Sequence, residues 1–245
     1  MTDTIDIAAN LAQVRQRMAA AAQRAGRSLD EITLLAVSKT HPVGLIAQAL
    51  TAGQRDFGEN RVEEAWAKFA DPDSPESLTS RLSAADRPRL HLIGPIQSRK
   101  ASLAVACRPA LIHAVDRLKI AARLDRLASE AQIVQEVLLE VNVAGEASKF
   151  GFSPLELHRD AETILALPHL RVAGLMTIPP YEPEPEAARP HFVALRRLRD
   201  QLAQRHPQAA WRQLSMGMSH DFETAIEEGA TIVRVGTAIF GRRDA

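Results

Sequence analysis

A single cysteine, Cys107, rules out a disulfide framework within the chain and any metal site built from several thiolates. An excess of either charge is also missing. Thirty Lys and Arg balance thirty Asp and Glu, which leaves no global field to attract nucleic acid or an anionic membrane. No apolar run approaches the ~20 residues a helix needs to cross a bilayer. The opening stretch, Met-Thr-Asp-Thr-Ile-Asp-Ile, is acidic and lacks a basic segment followed by an apolar core, so no secretory signal is expected. There is no internal repeat of short period. These absences point to a cytoplasmic protein without nucleic-acid or membrane partners, and 245 residues at 46% hydrophobic suit one large domain over 1–245.

What is present alternates. A helix is expected over about 4–25, with Ile7, Leu11, Val14 and Met18 at helical spacing and Gly26 as its stop. It should pack on the outside of the domain or across one end. Strand-like segments follow at 32–39, 55–60, 89–93, 111–115, 134–143, 170–178, 211–214 and 231–235. Helical patterns fall between them, at about 43–52, 61–69, 97–106, 116–129, from Ser153-Pro154 onward, 190–204 and 219–228. Residues 70–88, 144–151 and 181–190 read as surface connections. Eight strands separated by helices predict a single (β/α)8 TIM-type barrel, with an open doubly wound sheet as the alternative. No Gly-x-Gly-x-x-Gly follows the first strand, which argues against a dinucleotide site.

In such a barrel ligands gather at the C-terminal strand ends. The first strand, Ile-Thr-Leu-Leu-Ala-Val-Ser-Lys-Thr, brings Lys39 there. A partly desolvated amine is a nucleophile that can capture an aldehyde, whereas a hydrated one merely ends the strand. Asn60 stands at the second strand end, and Gly94 and Gln97 follow the third. Ser215-Met-Gly-Met-Ser219 reads as a loop entering a helix whose free N–H groups suit a phosphate, with Ser219 adding a hydroxyl or simply capping. Gly236 and Thr237 would lie beside it. Arg234 shares a strand face with Ile232 and Gly236; it meets either the barrel interior or the outer helices, and alternation alone leaves both open. His91 and His113 read as structural, His41 and His220 as lying near the mouth, and Asp116 and Glu59 as the best-placed carboxylates.

Several motifs in order carry a resemblance over nearly the full length. They are Leu35-Ala-Val-Ser-Lys-Thr40, Phe57-Gly-Glu-Asn60, His91-Leu-Ile-Gly-Pro-Ile-Gln-Ser98, Gly174-Leu-Met176, Leu214-Ser-Met-Gly-Met-Ser219 and Val233-Arg-Val-Gly-Thr-Ala-Ile-Phe-Gly241. The chain resembles the pyridoxal phosphate homeostasis protein family (YggS/PROSC type), itself similar to the barrel domain of alanine racemases without their C-terminal β-domain. The resemblance implies pyridoxal 5'-phosphate held as an internal aldimine on Lys39. It further implies phosphate contacts from Ser219, Gly236 and Thr237, Arg234 facing the pyridine nitrogen, and Asn60 near the ring. Arg61 and Arg99 depart from a common form of these motifs and concern the rim.

A racemase needs a second acid/base opposite the lysine, a tyrosine from the further domain in the resembling enzymes. The single tyrosine here, Tyr181, falls in a Tyr-Glu-Pro-Glu-Pro-Glu connection. The expected role is therefore a monomeric, non-catalytic carrier in vitamin B6 and amino-acid homeostasis, with pyridoxal-phosphate-dependent apoenzymes as recipients. A slow racemase-type enzyme is the alternative, and a sugar-phosphate aldolase using the same lysine is disfavoured by the motifs.

Overall fold

Buried β-branched and aliphatic runs form eight strands in the computed structural model, which describes residues 5–146 and 150–241. They are β1 (Thr33–Val37), β2 (Asp56–Glu59), β3 (Arg89–Leu92), β4 (Leu111–Val115), β5 (Gln135–Glu140), β6 (Leu170–Met176), β7 (Gln213–Met218) and β8 (Ile232–Val235). All pair in parallel in chain order, and β1 closes on β8 with Leu35 opposite Arg234. The expected (β/α)8 barrel is therefore observed, and the open sheet is excluded. Parallel strands covered on both faces need near-continuous apolar runs, which explains why their burial barely alternates.

Two cores result. A smaller one inside the barrel joins Leu35, Val37, Ile93, Leu111, Leu138, Ala173, Met176 and Ile232, while a larger one lies between strands and helices. The helices are α1 (Ile7–Arg24), α2 (Val43–Thr51), α3 (Val62–Ala65), α4 (Leu78–Arg81), α5 (Ala101–Ala106), α6 (Leu118–Glu130), α7 (Pro154–Leu165), α8 (Arg189–Arg205), α9 (Phe222–Glu227) and α10 (Thr237–Phe240). Ser153 caps α7 as its residue type requires, in a capping box with Glu156 and with Pro154 in the first turn.

Several boundaries differ from expectation. The 70–88 connection contains α4, nucleated by Ser77 accepting from the Thr79 N–H. The expected start of the first helix, Thr4, and residues 147–149 of the 144–151 loop lie outside the described residues. The seventh strand does not stop at Leu214 but runs to Met218, and Ser219 does not begin the next helix, whose N-cap is Asp221. Glycine and serine in that segment suggested a loop; backbone pairing to β6 and β8 overrides their weak strand propensity.

The first helix packs on the outside, against α9, α10 and α2. Within the described residues β8 is followed only by the four-residue α10, so α1 fills the place of the barrel's eighth outer helix. Asp6 caps it, and Ile7, Leu11, Val14 and Met18 form the buried stripe the spacing predicted. Asn10 further ties it to the Ile239 carbonyl at 2.9 Å. Leu11→Ala, at a fully buried position, should cost about 2–5 kcal/mol in urea unfolding with the barrel's far-UV spectrum retained.

Candidate functional site

At the C-terminal strand ends a cavity of about 400 Å³ opens. Lys39, Asn60, Ser219, Arg234, Gly236 and Thr237, the six residues singled out in the sequence, all border it. His41, His220 and Tyr181 border it as well, with Tyr181 76% exposed and its ring 5.5 Å from that of His220. Arg61, Gln97 and Arg99 lie apart, around a neighbouring cavity of about 580 Å³ that shares Asn60 and Pro95. Gly94, on the wall of the first cavity, has to be glycine, because a Cβ there would stand 2.3 Å from the Asn60 carbonyl oxygen.

Lys39 is half-buried just past β1, and the residues on either side of it are clamped. The Lys68 ammonium donates to the Ser38 carbonyl (2.9 Å), to Glu59 (3.0 Å) and to Glu64 (2.6 Å). The Ser38 hydroxyl donates to Glu59 at 2.8 Å, and the Thr40 N–H donates to Glu64 at 2.5 Å. Thr40 is held at φ 68°, a left-handed conformation uncommon for a residue with a Cβ. A π-helical turn at Trp66–Ala70 continues α3 and carries Lys68 into this position. Burial raises the Glu59 carboxyl to about 7 despite the pull of Lys68. Glu59 thus serves behind the strand rather than in the cavity.

The opposite wall depends on a bulge. Ser215 pairs with Ile232 but Met218 with Arg234, so β7 carries one residue more than β8 over this interval. Met216 belongs to the helix-facing core, and Gly217 also lies against α9, where a Cβ would stand 2.5 Å from that of Ala225. Its φ of 89° is a second reason for glycine. After two consecutive outward positions, Met218 and Ser219 turn to the cavity. Asp221 accepts from the Met218 N–H at 2.6 Å, and the Ser219 hydroxyl accepts from the Gly236 N–H at 3.2 Å, which joins the two strand ends. Ser219 therefore bridges to Gly236 instead of capping α9.

Arg234 faces the interior, which settles the ambiguity left by alternation. It is 4% exposed, donating through Nη1 to Ser215 Oγ (2.6 Å) and through Nη2 to the Thr177 carbonyl (2.8 Å). Burial lowers its pKa to about 10, with Asp221 and Glu140 pulling the other way, so it stays cationic near neutrality. Glu140 escaped the sequence reading. It borders the cavity at 7% exposure, its Oε2 without a hydrogen-bond partner among the described residues. Burial first, then Asp116, raise its carboxyl to about 7 against the pull of Arg234. Its signal was present in Val-Gln-Glu-Val-Leu-Leu-Glu-Val, where a charge shares the inward face with Leu138.

Other candidates fall away. Asp116 pairs with Arg117 at 2.5 Å and does not cap α6. Cys107 is buried, its thiol raised to about 12 by burial, and is unreactive in that form. Asn142, which the sequence places at the fifth strand end, bonds Glu146 on both sides of its amide. Among the described residues no group of three or more His, Cys, Asp or Glu side chains could hold a metal ion, and no helix is long and apolar enough to cross a membrane.

Removing Lys68 leaves two carboxylates crowded behind Lys39, so Lys68→Met should lose about 3 kcal/mol at pH 8 in urea unfolding. For Glu140, a raised folded-state pKa means the native state binds more protons than the unfolded one, so stability falls as pH rises from about 4.5 to about 7. Glu140→Gln should remove its share of that decline while leaving the share of Glu59, read from unfolding midpoints at several pH values.

Similarity to known proteins is extensive. The model of the family described as alanine racemase, N-terminal domain, matches residues 7–244. The pyridoxal phosphate homeostasis protein of Aquifex aeolicus is 45% identical over 233 residues, covering 95% of this chain and 96% of that one. The Escherichia coli protein of the same name is 46% identical over 243 residues, covering 98% and 97%. PipY of Synechococcus elongatus, solved with pyridoxal phosphate bound, superposes with a TM-score of 0.79 at 36% identity, covering 96% of this chain and all of that one. Alanine racemase of Corynebacterium glutamicum shares the fold, with a TM-score of 0.69 at 19% identity, the chain covering 63% of it.

Proposed function

The chain belongs to the pyridoxal phosphate homeostasis protein family, built on the alanine racemase N-terminal domain, and from that premise we propose that it binds pyridoxal 5'-phosphate and carries it in intracellular vitamin B6 and amino-acid homeostasis. The observation that supports this most is the convergence on one cavity of Lys39, the Ser219–Gly236–Thr237 turn and the buried cation of Arg234. When bound, the cofactor supplies an aldehyde that an amine can capture and a ring that withdraws electrons.

The residues present fit that group. Lys39 is the amine at the cavity wall, covalently holding the cofactor in this reading. Ser219, Gly236 and Thr237 hold the phosphate. A Cβ at Gly236 would crowd the Val37 carbonyl oxygen at 3.2 Å, so glycine lets this turn lie close against β1. Asn60 borders the ring, and Arg234 holds its nitrogen end. A cation fixed there keeps a ring nitrogen beside it unprotonated, which weakens electron withdrawal and favours holding over turnover. The 76% exposure of Tyr181 supports the same side, because an acid/base needs a desolvated, fixed position. Apoenzymes that need the cofactor are the recipients, approaching across the rim.

Glu140 favours a second reading, slow racemase-type chemistry, because a buried carboxyl near 7 on the cavity wall is suited to proton transfer. Incubation with L-amino acids in deuterated buffer separates the two. A carrier gives no α-proton exchange, and an enzyme gives exchange that Glu140→Gln abolishes.

The binding reading is tested by adding pyridoxal phosphate to purified protein and following its violet absorption band. Borohydride should fix the label on Lys39, found by peptide mapping. Lys39→Ala should lose the fixed label yet retain weaker, reversible binding through the remaining contacts. Wild-type protein that takes up no cofactor would refute the proposal.

A further inference from the structure

Beneath the cavity a file of polar groups runs the height of the barrel among the aliphatic interior residues. From Arg234 it passes to Ser215 Oγ (2.6 Å), from Ser215 to His113 Nδ1 (2.9 Å), and from His113 Nε2 to His91 Nδ1 (3.0 Å). His91 Nε2 then meets Asp56 Oδ1 at 3.1 Å, and the guanidinium of Arg89 closes the floor on both oxygens of Asp56. Asp56 and Arg89 open β2 and β3, so the file ends at the face opposite the cavity. All but Arg89 are buried.

The two ends fix the direction of every proton between them. Arg234 can only donate. Burial works to raise the Asp56 carboxyl, but hydrogen bonds from His91 and Arg89 prevail and hold it below the usual range, so it is an anion that only accepts. One ordering satisfies every link: Arg234 donates to Ser215, the Ser215 hydroxyl to His113 Nδ1, His113 Nε2–H to His91 Nδ1, and His91 Nε2–H to Asp56. The reverse ordering needs a cationic His91 and brings two donors onto Ser215, whose own proton then finds no acceptor among the described residues. Burial, followed by His91 and Arg234, also pushes His113 well below the usual imidazole range. An unsatisfied buried donor is costly enough to select the first ordering.

We propose that Ser215, His113, His91 and Asp56 are positioning residues for Arg234, an oriented relay that fixes the guanidinium in one pose and ties the inner end of the cofactor cavity to the Asp56–Arg89 pair on the barrel floor. The charged and titratable groups that act on the relay are Arg89 and His91 at Asp56, His91 and Arg234 at His113, and Glu140 and Asp221 at Arg234. The relay makes the pose of Arg234 depend on a carboxylate that does not border the cavity.

Two readouts test this, and only the second rests on the pyridoxal phosphate reading. In ligand-free protein labelled with ¹⁵N-histidine, His91 and His113 should both carry the proton on Nε2 with a bare Nδ1 at pH 8, and His113 should keep that form down to about pH 6. A proton on Nδ1 of either ring at pH 8, or titration of His113 between about pH 6 and 8, would overturn the relay. Asp56→Asn should then weaken pyridoxal phosphate binding about tenfold, the scale of one lost charge-assisted hydrogen bond, and shift the bound absorption band. Ser215→Ala, which cuts the file at its top, should do the same. Ile112→Val, in the helix-facing core, should lower the melting temperature without moving the band. Wild-type binding with an unchanged Asp56→Asn spectrum and affinity would refute the positioning role. Wild-type protein that binds no cofactor would refute the functional reading alone, and the ring-nitrogen result would still decide the ordering.

Discussion

Arg234 places a permanent charge inside a barrel whose other interior residues are largely aliphatic, and much of the upper half of the molecule answers to that. Desolvating a cation costs several kcal/mol, more than two neutral hydrogen bonds return, so the site needs acceptors from several strands and anions nearby. Thr177 and Ser215 supply the first, Glu140 and Asp221 the second. These partners sit on or just beyond β5, β6 and β7, which couples their positions to one side chain on β8. A well-packed aliphatic residue would satisfy the fold with less desolvation. Retaining arginine makes sense where the charge itself is used, as it is in the proposed binding of an anionic aromatic ligand at this cavity wall.

The rim is organised by the same economy of rigid parts. Lys39 lies past the end of a strand, where backbone order normally decays, yet Ser38 and Thr40 are both held by a largely buried ion cluster, partly open at Glu64, anchored on a π-helical turn. On the facing wall a one-residue bulge re-aims Met218 and Ser219. In each case an irregularity in a regular element sets the direction of a functional group, as expected where function rather than stability selects the geometry.

Much of this was legible in the chain. The alternation of apolar runs with amphipathic stretches gave the barrel, and its strand ends gave the neighbourhood of Lys39, Asn60, Ser219, Arg234, Gly236 and Thr237, because the (β/α)8 architecture dictates where ends converge. What escaped depended on phase or on distance. The facing of Arg234 required knowing which strand face is interior, and alternation is symmetric between the two. The course of β7 through Ser215–Met218 was hidden by a glycine and serines of weak strand propensity. His91 and His113 were read as structural; both are buried, and their alignment with Asp56 and Ser215 spans four strands, which no local pattern records. Glu140 was readable in principle, as a charge on the inward face of β5.

The position of α1 carries a further consequence for how the molecule is made. The helix α1 rests on elements synthesised some two hundred residues after it, α9 and α10. Its apolar stripe cannot find its permanent cover until β7 and β8 have emerged, and β1 waits for β8 in the same way. During translation, of the α-helices it packs on, only α2 is at hand to cover that stripe, and a partly sheltered apolar surface is the kind of segment that chaperones hold and that aggregates when they do not. Closing a ring with its own first turn thus leaves the final assembly of the barrel to contacts of very high sequence separation, the slowest kind to form.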